Sequence, residues 1–178
     1  ERRDIVRGQY EGYRSEDGAS PNSDAETYAA LRFEIDSWRW ADVPFFIRTG
    51  KRMPVTATEV IATFRRPPQR LFDETLPPRA NYLRFRLGPD RIAIALGVRT
   101  KDAGEAMVGA ETELYACNSR TDEMTPYERL LGDAMRGDAT LFARQDSVEV
   151  AWDIVDRLLA GGPQAERYAS GSWGPDAA

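Results

Sequence analysis

Lys51 is one of only two lysines in this 178-residue chain, the other being Lys101; every other basic residue is an arginine. It follows Gly50 in the run Arg48-Thr49-Gly50-Lys51-Arg52. A glycine lets the backbone turn where a Cβ would clash, and this turn gathers three cations within five residues. A compact ammonium with three donors, beside planar guanidiniums, suits an anionic ligand such as a phosphate. Solvated cations at a strand end look the same in sequence, so the residues alone leave both readings open.

Other chemistry is sparse. The chain has no histidine, which removes the commonest general base and metal ligand. It has no Gly-x-Gly-x-x-Gly and no P-loop pattern, so the usual nucleotide-phosphate cradles are missing. Cys117 is the single cysteine; it has no histidine partner and no disulfide partner, and it suits a reducing cytoplasm. The carboxylates Glu149, Asp153 and Asp156 fall on the polar side of a helical pattern, where solvation is the default. A formal net charge of −5 argues against nucleic-acid binding. No apolar run is long enough to cross a membrane as a helix, and the opening Glu1-Arg2-Arg3-Asp4 lacks the apolar core of a signal peptide. The length suits one domain with a substantial core.

The elements that would hold the turn read as strands first and helices last. Residues 11–26 are rich in Gly, Ser, Asp and Asn and read as a mobile loop. From Thr27 to Asp36, Leu31, Phe33 and Ile35 alternate with Arg32, Glu34 and Asp36, the period of a sheet with one buried face. Trp38 to Ile47 reads as a buried, aromatic-rich strand leading to the turn, its core over Pro44–Arg48. Thr58–Arg65 is another strand, stopped by Pro67-Pro68. Gln69–Arg79 reads as a loop or short helix. Tyr82–Leu87 and Ile92–Val98 form a hairpin about Gly88-Pro89-Asp90. Glu113–Cys117 reads as a further strand, and 100–112 are ambiguous.

Thr125-Pro126-Tyr127-Glu128 carries a capping box with proline at the first helical position, and Gly137 can end that helix. Asp146-Ser147-Val148-Glu149 opens a second helix with the apolar stripe Val148, Ala151, Trp152, Val155, Leu158 and Leu159. Gly161–Ala178 reads as irregular, anchored by Trp173. Trp38, Trp40 and Trp152 read as core. The pattern predicts an α+β fold: a large, mainly antiparallel sheet with helices packed on one face.

Several segments carry a family resemblance. Trp38 to Arg52, with its Val-Pro-Phe-x-x-Arg-Thr-Gly-Lys-Arg order, resembles the carboxy-terminal domain of glucose-6-phosphate dehydrogenase. So do Ile5-Val6-Arg7-Gly8-Gln9-Tyr10 near the start, Thr125 to Asp133, Leu141 to Asp146 with Ala151-Trp152, and Tyr168-Ala169-Ser170-Gly171-Ser172-Trp173-Gly174-Pro175 at the end. They occur in family order and span nearly all of residues 1–178, here expected to be one C-terminal domain, with the amino-terminal Rossmann coenzyme domain lying outside it.

The resemblance implies that the parent enzyme oxidises glucose 6-phosphate to the phosphogluconolactone with NADP, in the cytoplasm. NADP and the general-base histidine would be held mainly by the missing half, so no catalytic residue and no metal is expected here. Lys51 would contact the sugar phosphate, and the sheet would form the interface of a homo-oligomer, a dimer in most members. Where many members carry a second basic residue the chain has Thr56, which donates one uncharged hydrogen bond; Arg52 is the candidate that would compensate. Some members use a glutamine where Gly88 stands.

Of the basic residues that hold a second, structural NADP in some members, Arg48 and Arg86 match, whereas Ala57 and Ile61 do not, so no structural NADP is expected. Arg84, Arg86, Arg91 and Arg99 read as a strip neutralised by Glu59, Asp90 and Glu113. The competing reading is a non-catalytic paralogue or stand-alone dimerisation module with a degenerate site. A third is a related dehydrogenase with another sugar phosphate or a preference for NAD.

Overall fold

The computed structural model describes residues 4–69, 79–89, 91–104, 107–118, 124–159 and 163–178. The chain divides into two units, residues 1–55 with 130–178, and residues 56–129.

In the first unit β1 (Ile5–Tyr10), β2 (Tyr28–Phe33), β3 (Phe45–Gly50) and a late strand form a sheet. Its order is β3, β2, β1, then the late strand Glu166–Tyr168. β1 pairs antiparallel with β2 and parallel with Glu166–Tyr168, so the first and last strands of the chain lie side by side. β1 is central and its buried residues include Val6, Tyr10 and Gln9. Gln9 is satisfied in full: its amide nitrogen donates to the Ser23 and Ala25 carbonyls at 3.0 and 2.9 Å, and its oxygen accepts from Arg14 Nε at 3.2 Å. A buried amide with all its partners pins the polar loop 11–26 to the sheet, so a composition that reads as mobile is tied down.

The second unit is a meander of β4 (Thr58–Thr63), β5 (Tyr82–Gly88), β6 (Ile92–Lys101) and β7 (Gly109–Asn118), antiparallel throughout. The hairpin β5–β6 is as expected. β6 and β7 run further than the sequence suggested and absorb much of the ambiguous 100–112 stretch. One face carries Arg84, Arg86, Glu59 and Glu113; the other carries Phe85, Leu83, Ile94, Leu96 and Leu114, as the register requires.

Helix α1 (Pro126–Arg136) begins at the expected capping box. The Thr125 amide donates to the Glu128 carboxylate at 2.8 Å, the Glu128 amide donates to Thr125 Oγ1, and Gly137 ends the helix at a φ of 71°. Helix α2 spans Gln145–Leu159. The late strand is therefore β8 (Glu166–Tyr168). This is an α+β fold.

Several expectations need correction. The tail is not wholly irregular, because β8 adds to the sheet. Trp38–Trp40 forms a 3-10 turn instead of an extended approach; Trp38 is fully exposed, Trp152 is mostly exposed, and only Trp40 packs, edge-on against Phe45 at 5.2 Å. β2 stops at Phe33, and its buried residue is Tyr28; Phe33 and Ile35 are more than a third exposed. β3 is likewise open, with Phe46 68% exposed. β4 ends at Thr63 and is exposed along its length. The apolar stripes of both helices are exposed, as Tyr127, Leu131 and Met135 in α1 and Val148, Trp152 and Val155 in α2 show. Period and residue type mark which face needs cover, but they do not say whether this chain supplies it. The loop or short helix expected over Gln69–Arg79 lies almost entirely outside the described residues, as does Asp90.

Candidate functional site

The turn after β3 is held by two segments distant in sequence. The Lys51 amide donates to the Thr27 carbonyl at 2.8 Å. The Lys51 carbonyl accepts from the Tyr168 hydroxyl at 2.8 Å. One residue on, the Arg52 carbonyl accepts from the Gly171 amide at 2.7 Å. Both backbone groups of Lys51 are therefore fixed from outside the turn. Arg52 takes a φ of 53°, the left-handed region that lets the chain double back.

Beneath the turn lies a tyrosine cluster. Tyr10, Tyr28 and Tyr168 are buried, with Tyr28 and Tyr168 rings 5.5 Å apart and Tyr10 and Tyr168 rings 6.3 Å apart. Aromatic rings at these separations pack as a rigid apolar block. Burial pushes the Tyr28 phenol above its ordinary value, while the charge of Arg48 pulls the other way.

The tail crosses the same face. Gly8 stands opposite Tyr28 and Arg48 opposite Ala30 on neighbouring strands, and the tail lies against Gly8, Tyr28 and Arg48. A Cβ on Gly174 would fall 2.4 Å from the Tyr28 ring, and one on Gly8 would fall 2.9 Å from Pro175. The Arg48 guanidinium sits 4.8 Å from the centre of the Trp173 ring. Trp173 is thus an anchor, as expected, and Arg48 is engaged in a cation–π contact.

The candidate residues separate on this frame. The Lys51 side chain is exposed and has no hydrogen-bond or ion-pair partner among the described residues. Lys101, by contrast, gives its ammonium to the carbonyls of Asp102, at 3.2 Å, and Gly104. Arg52 lies in the same turn as Lys51, but its guanidinium is bonded to Glu16 at 2.8 Å and lies 5.8 Å from the Tyr10 ring centre. The Tyr10 phenol and then Arg52 hold the Glu16 carboxyl below its usual range, and Glu16 in turn raises the Tyr10 phenol. Thr56 is exposed and belongs to the second unit, whereas Lys51 belongs to the first. Tyr168, Thr27 and Gly171 were not singled out from sequence as supports of the turn. The available signal was the Tyr-x-x-Gly-Ser ending, which has no meaning until the tail is laid against β1.

On the second unit, Arg86 bonds Glu59 at 3.1 Å, Arg84 bonds Glu113, and Arg91 lies 5.9 Å from the Tyr115 ring centre. The expected neutralised strip is present in these pairs. No group of three or more His, Cys, Asp or Glu with metal-binding geometry occurs among the described residues. Among them no helix is long and apolar enough to cross a membrane.

The class defined by this geometry is an α+β sheet domain presenting an unpaired lysine on a rigid turn. Comparison with known proteins supplies the family. The model of the glucose-6-phosphate dehydrogenase C-terminal domain matches residues 1–178, and the chain belongs to that family. It is 44% identical over 98% of its length to glucose-6-phosphate 1-dehydrogenase of Aggregatibacter actinomycetemcomitans, covering 38% of that protein. It is 41% identical over 97% of its length to glucose-6-phosphate 1-dehydrogenase 1 of Mycobacterium tuberculosis, covering 37%. The crystal structure of glucose-6-phosphate 1-dehydrogenase from Mycobacterium avium superposes with a TM-score of 0.83 at 38% identity, over 98% of this chain and 37% of that one. A glucose-6-phosphate dehydrogenase in complex with its substrate glucose 6-phosphate gives a TM-score of 0.74 at 30% identity, over 97% of this chain and 38% of that one. The chain thus spans well under half the length of these relatives.

Proposed function

We propose that residues 1–178 are the substrate-pocket and oligomerisation domain of an NADP-dependent glucose-6-phosphate dehydrogenase, working with a coenzyme domain elsewhere in the polypeptide. The parent reaction is oxidation of glucose 6-phosphate to the 6-phosphogluconolactone, with hydride passing to NADP, in the cytoplasm. The described residues contain no glycine-rich phosphate cradle and no histidine, so they do not fit a primary dinucleotide site, and no chemical step is routed through them. Their part is binding. The observation that carries this reading is Lys51: its ammonium is unpaired and exposed while both its backbone groups are anchored. Such a cation reaches a phosphate oxygen without first breaking an ion pair, and the rigid turn limits the entropy lost on binding. A relative of similar fold is known in complex with glucose 6-phosphate, which supports the same ligand here.

Thr56 and Arg52 are lesser contributors in this proposal. Thr56 offers one neutral donor, and Arg52 would have to leave Glu16. The site therefore leans on one cation. Lys51→Ala in the complete enzyme should raise the KM for glucose 6-phosphate by about tenfold, the loss expected for one charged hydrogen bond. An unchanged KM removes Lys51 from the pocket.

Self-association through the sheet is the second part of the proposal. The apolar face of the second unit leaves Val60, Leu87, Ile92, Ile94 and Leu114 about half exposed or more. Water-exposed sheet of this character needs cover, and a second copy of the enzyme supplies it.

A further inference from the structure

The ending Tyr168-Ala-Ser-Gly171-Ser-Trp173-Gly174-Pro175 has no role in the binding reading, yet it makes the contacts that define the Lys51 turn. We infer that Tyr168 is a positioning residue for sugar-phosphate binding, acting through the backbone of Lys51; this rests on Lys51 being the phosphate ligand.

Of the tail residues, Tyr168 alone touches the backbone of Lys51 among the described contacts. Its side chain is 3% exposed, and its hydroxyl lies 2.8 Å from the Lys51 carbonyl, 3.1 Å from Thr27 Oγ1 and 3.3 Å from the Thr27 carbonyl. A phenol has one proton to donate, and the shortest, best acceptor is the Lys51 carbonyl. The Thr27 hydroxyl is then free to donate to the phenol oxygen while accepting from the Tyr10 amide at 3.0 Å. The Thr27 carbonyl meanwhile holds the Lys51 amide. Lys51 is thus gripped on both sides of its Cα, one grip running to β8 and the other to the start of β2. The Lys51 carbonyl has no other acceptor role among the described contacts, so the phenol fixes that side of the residue. Gly171 holds the next peptide and stops the turn from swinging about the Tyr168 bond. A free ammonium at the end of four methylenes is aimed only as well as its Cα is placed.

The test is a double-mutant cycle on the complete enzyme. Tyr168→Phe keeps the ring in the cluster and removes only the hydroxyl. The KM for glucose 6-phosphate should rise roughly threefold to tenfold, with kcat and the KM for NADP within about twofold of wild type. In a Lys51→Ala background the same change should move KM by less than about 1.5-fold, because the group it positions is gone. A purely structural tyrosine would lower the unfolding midpoint and kcat and leave KM alone. If Lys51→Ala raises KM but Tyr168→Phe does not, Tyr168 is not a positioning residue and the Lys51 reading stands. An equal rise in both backgrounds also overturns the inference, since Tyr168 would then act elsewhere. If Lys51→Ala has no effect, the reading beneath it fails instead. Should Tyr168→Phe not fold, Thr27→Val takes its place; it removes the hydroxyl that orients the phenol and should raise KM in the same direction by a smaller factor, while an unchanged KM overturns the inference.

Discussion

Gly50 stands directly opposite Tyr28 across the β2–β3 pair, and a Cβ at position 50 would come within 2.7 Å of the Tyr28 ring. The clash expected of a Cβ at this turn is present, and its cause is packing, since the φ of Gly50 is not in the left-handed region; Arg52 takes that conformation instead. What Gly50 provides is space. The Tyr28 ring fills the place where its side chain would be, and Met53 closes the other side at 3.1 Å. Gly50→Ala should therefore destabilise the domain by about 1–3 kcal/mol through overpacking, read as a lower denaturation midpoint. It should also raise the KM for glucose 6-phosphate, because the displaced ring lies under Lys51. A variant as stable as wild type would show that Tyr28 yields easily.

Trp173 is the tail's anchor on β3 through Arg48. Trp173→Ala should cost about 0.5–2 kcal/mol, the range of a partly desolvated cation–π contact. Amide hydrogen exchange should accelerate at Gly171 and Gly174 before it does in β1. Equal protection in both proteins would mean that Gly174 and Pro175 hold the tail unaided.

Acid should loosen the loop 11–26 through Glu26. Its carboxyl accepts from Arg7 at 2.8 Å, and this bond, with a backbone hydrogen bond, holds it below the ordinary value of 4.5. A lowered native value means that the pair stabilises the fold above about 4.5 and that this contribution is lost as pH falls through the native value. At neutral pH Glu26→Gln should unfold a few degrees below wild type, and the two melting curves should converge as the pH drops below 4.5. Parallel curves at all pH values would count against the pair.

Ile94 lies mid-sheet on the apolar face of the second unit, 51% exposed. The isolated domain should sediment as more than its 20.0 kDa monomer and show no turnover. Ile94→Lys should drive it towards the monomer, since a charge in the centre of an apolar interface is poorly solvated. An unchanged mass would place self-association on another surface.

Much of this protein was determined locally. Thr125, Pro126, Glu128 and Gly137 mark the ends of α1 because capping is a bargain among neighbours in sequence, and those residue types do it wherever they occur. The β5–β6 hairpin follows from alternation about Gly88-Pro89 for the same reason. Lys51 stands out locally as a lysine beside a turn in an arginine-rich chain, but its neighbours alone leave a phosphate contact and a solvated cation equally open. What tertiary structure alone decided were contacts made at long range. Tyr168 meets Lys51 across 117 positions, and no short-range pattern encodes that. β8 is three residues long, too short to show a period, and becomes a strand only because β1 offers its edge. Only the fold brings Glu16 to the Arg52 guanidinium, across 36 positions. Apolar period told which faces of β2, β3 and the helices need cover, but whether cover comes from this chain is a question of packing, and here much of it does not.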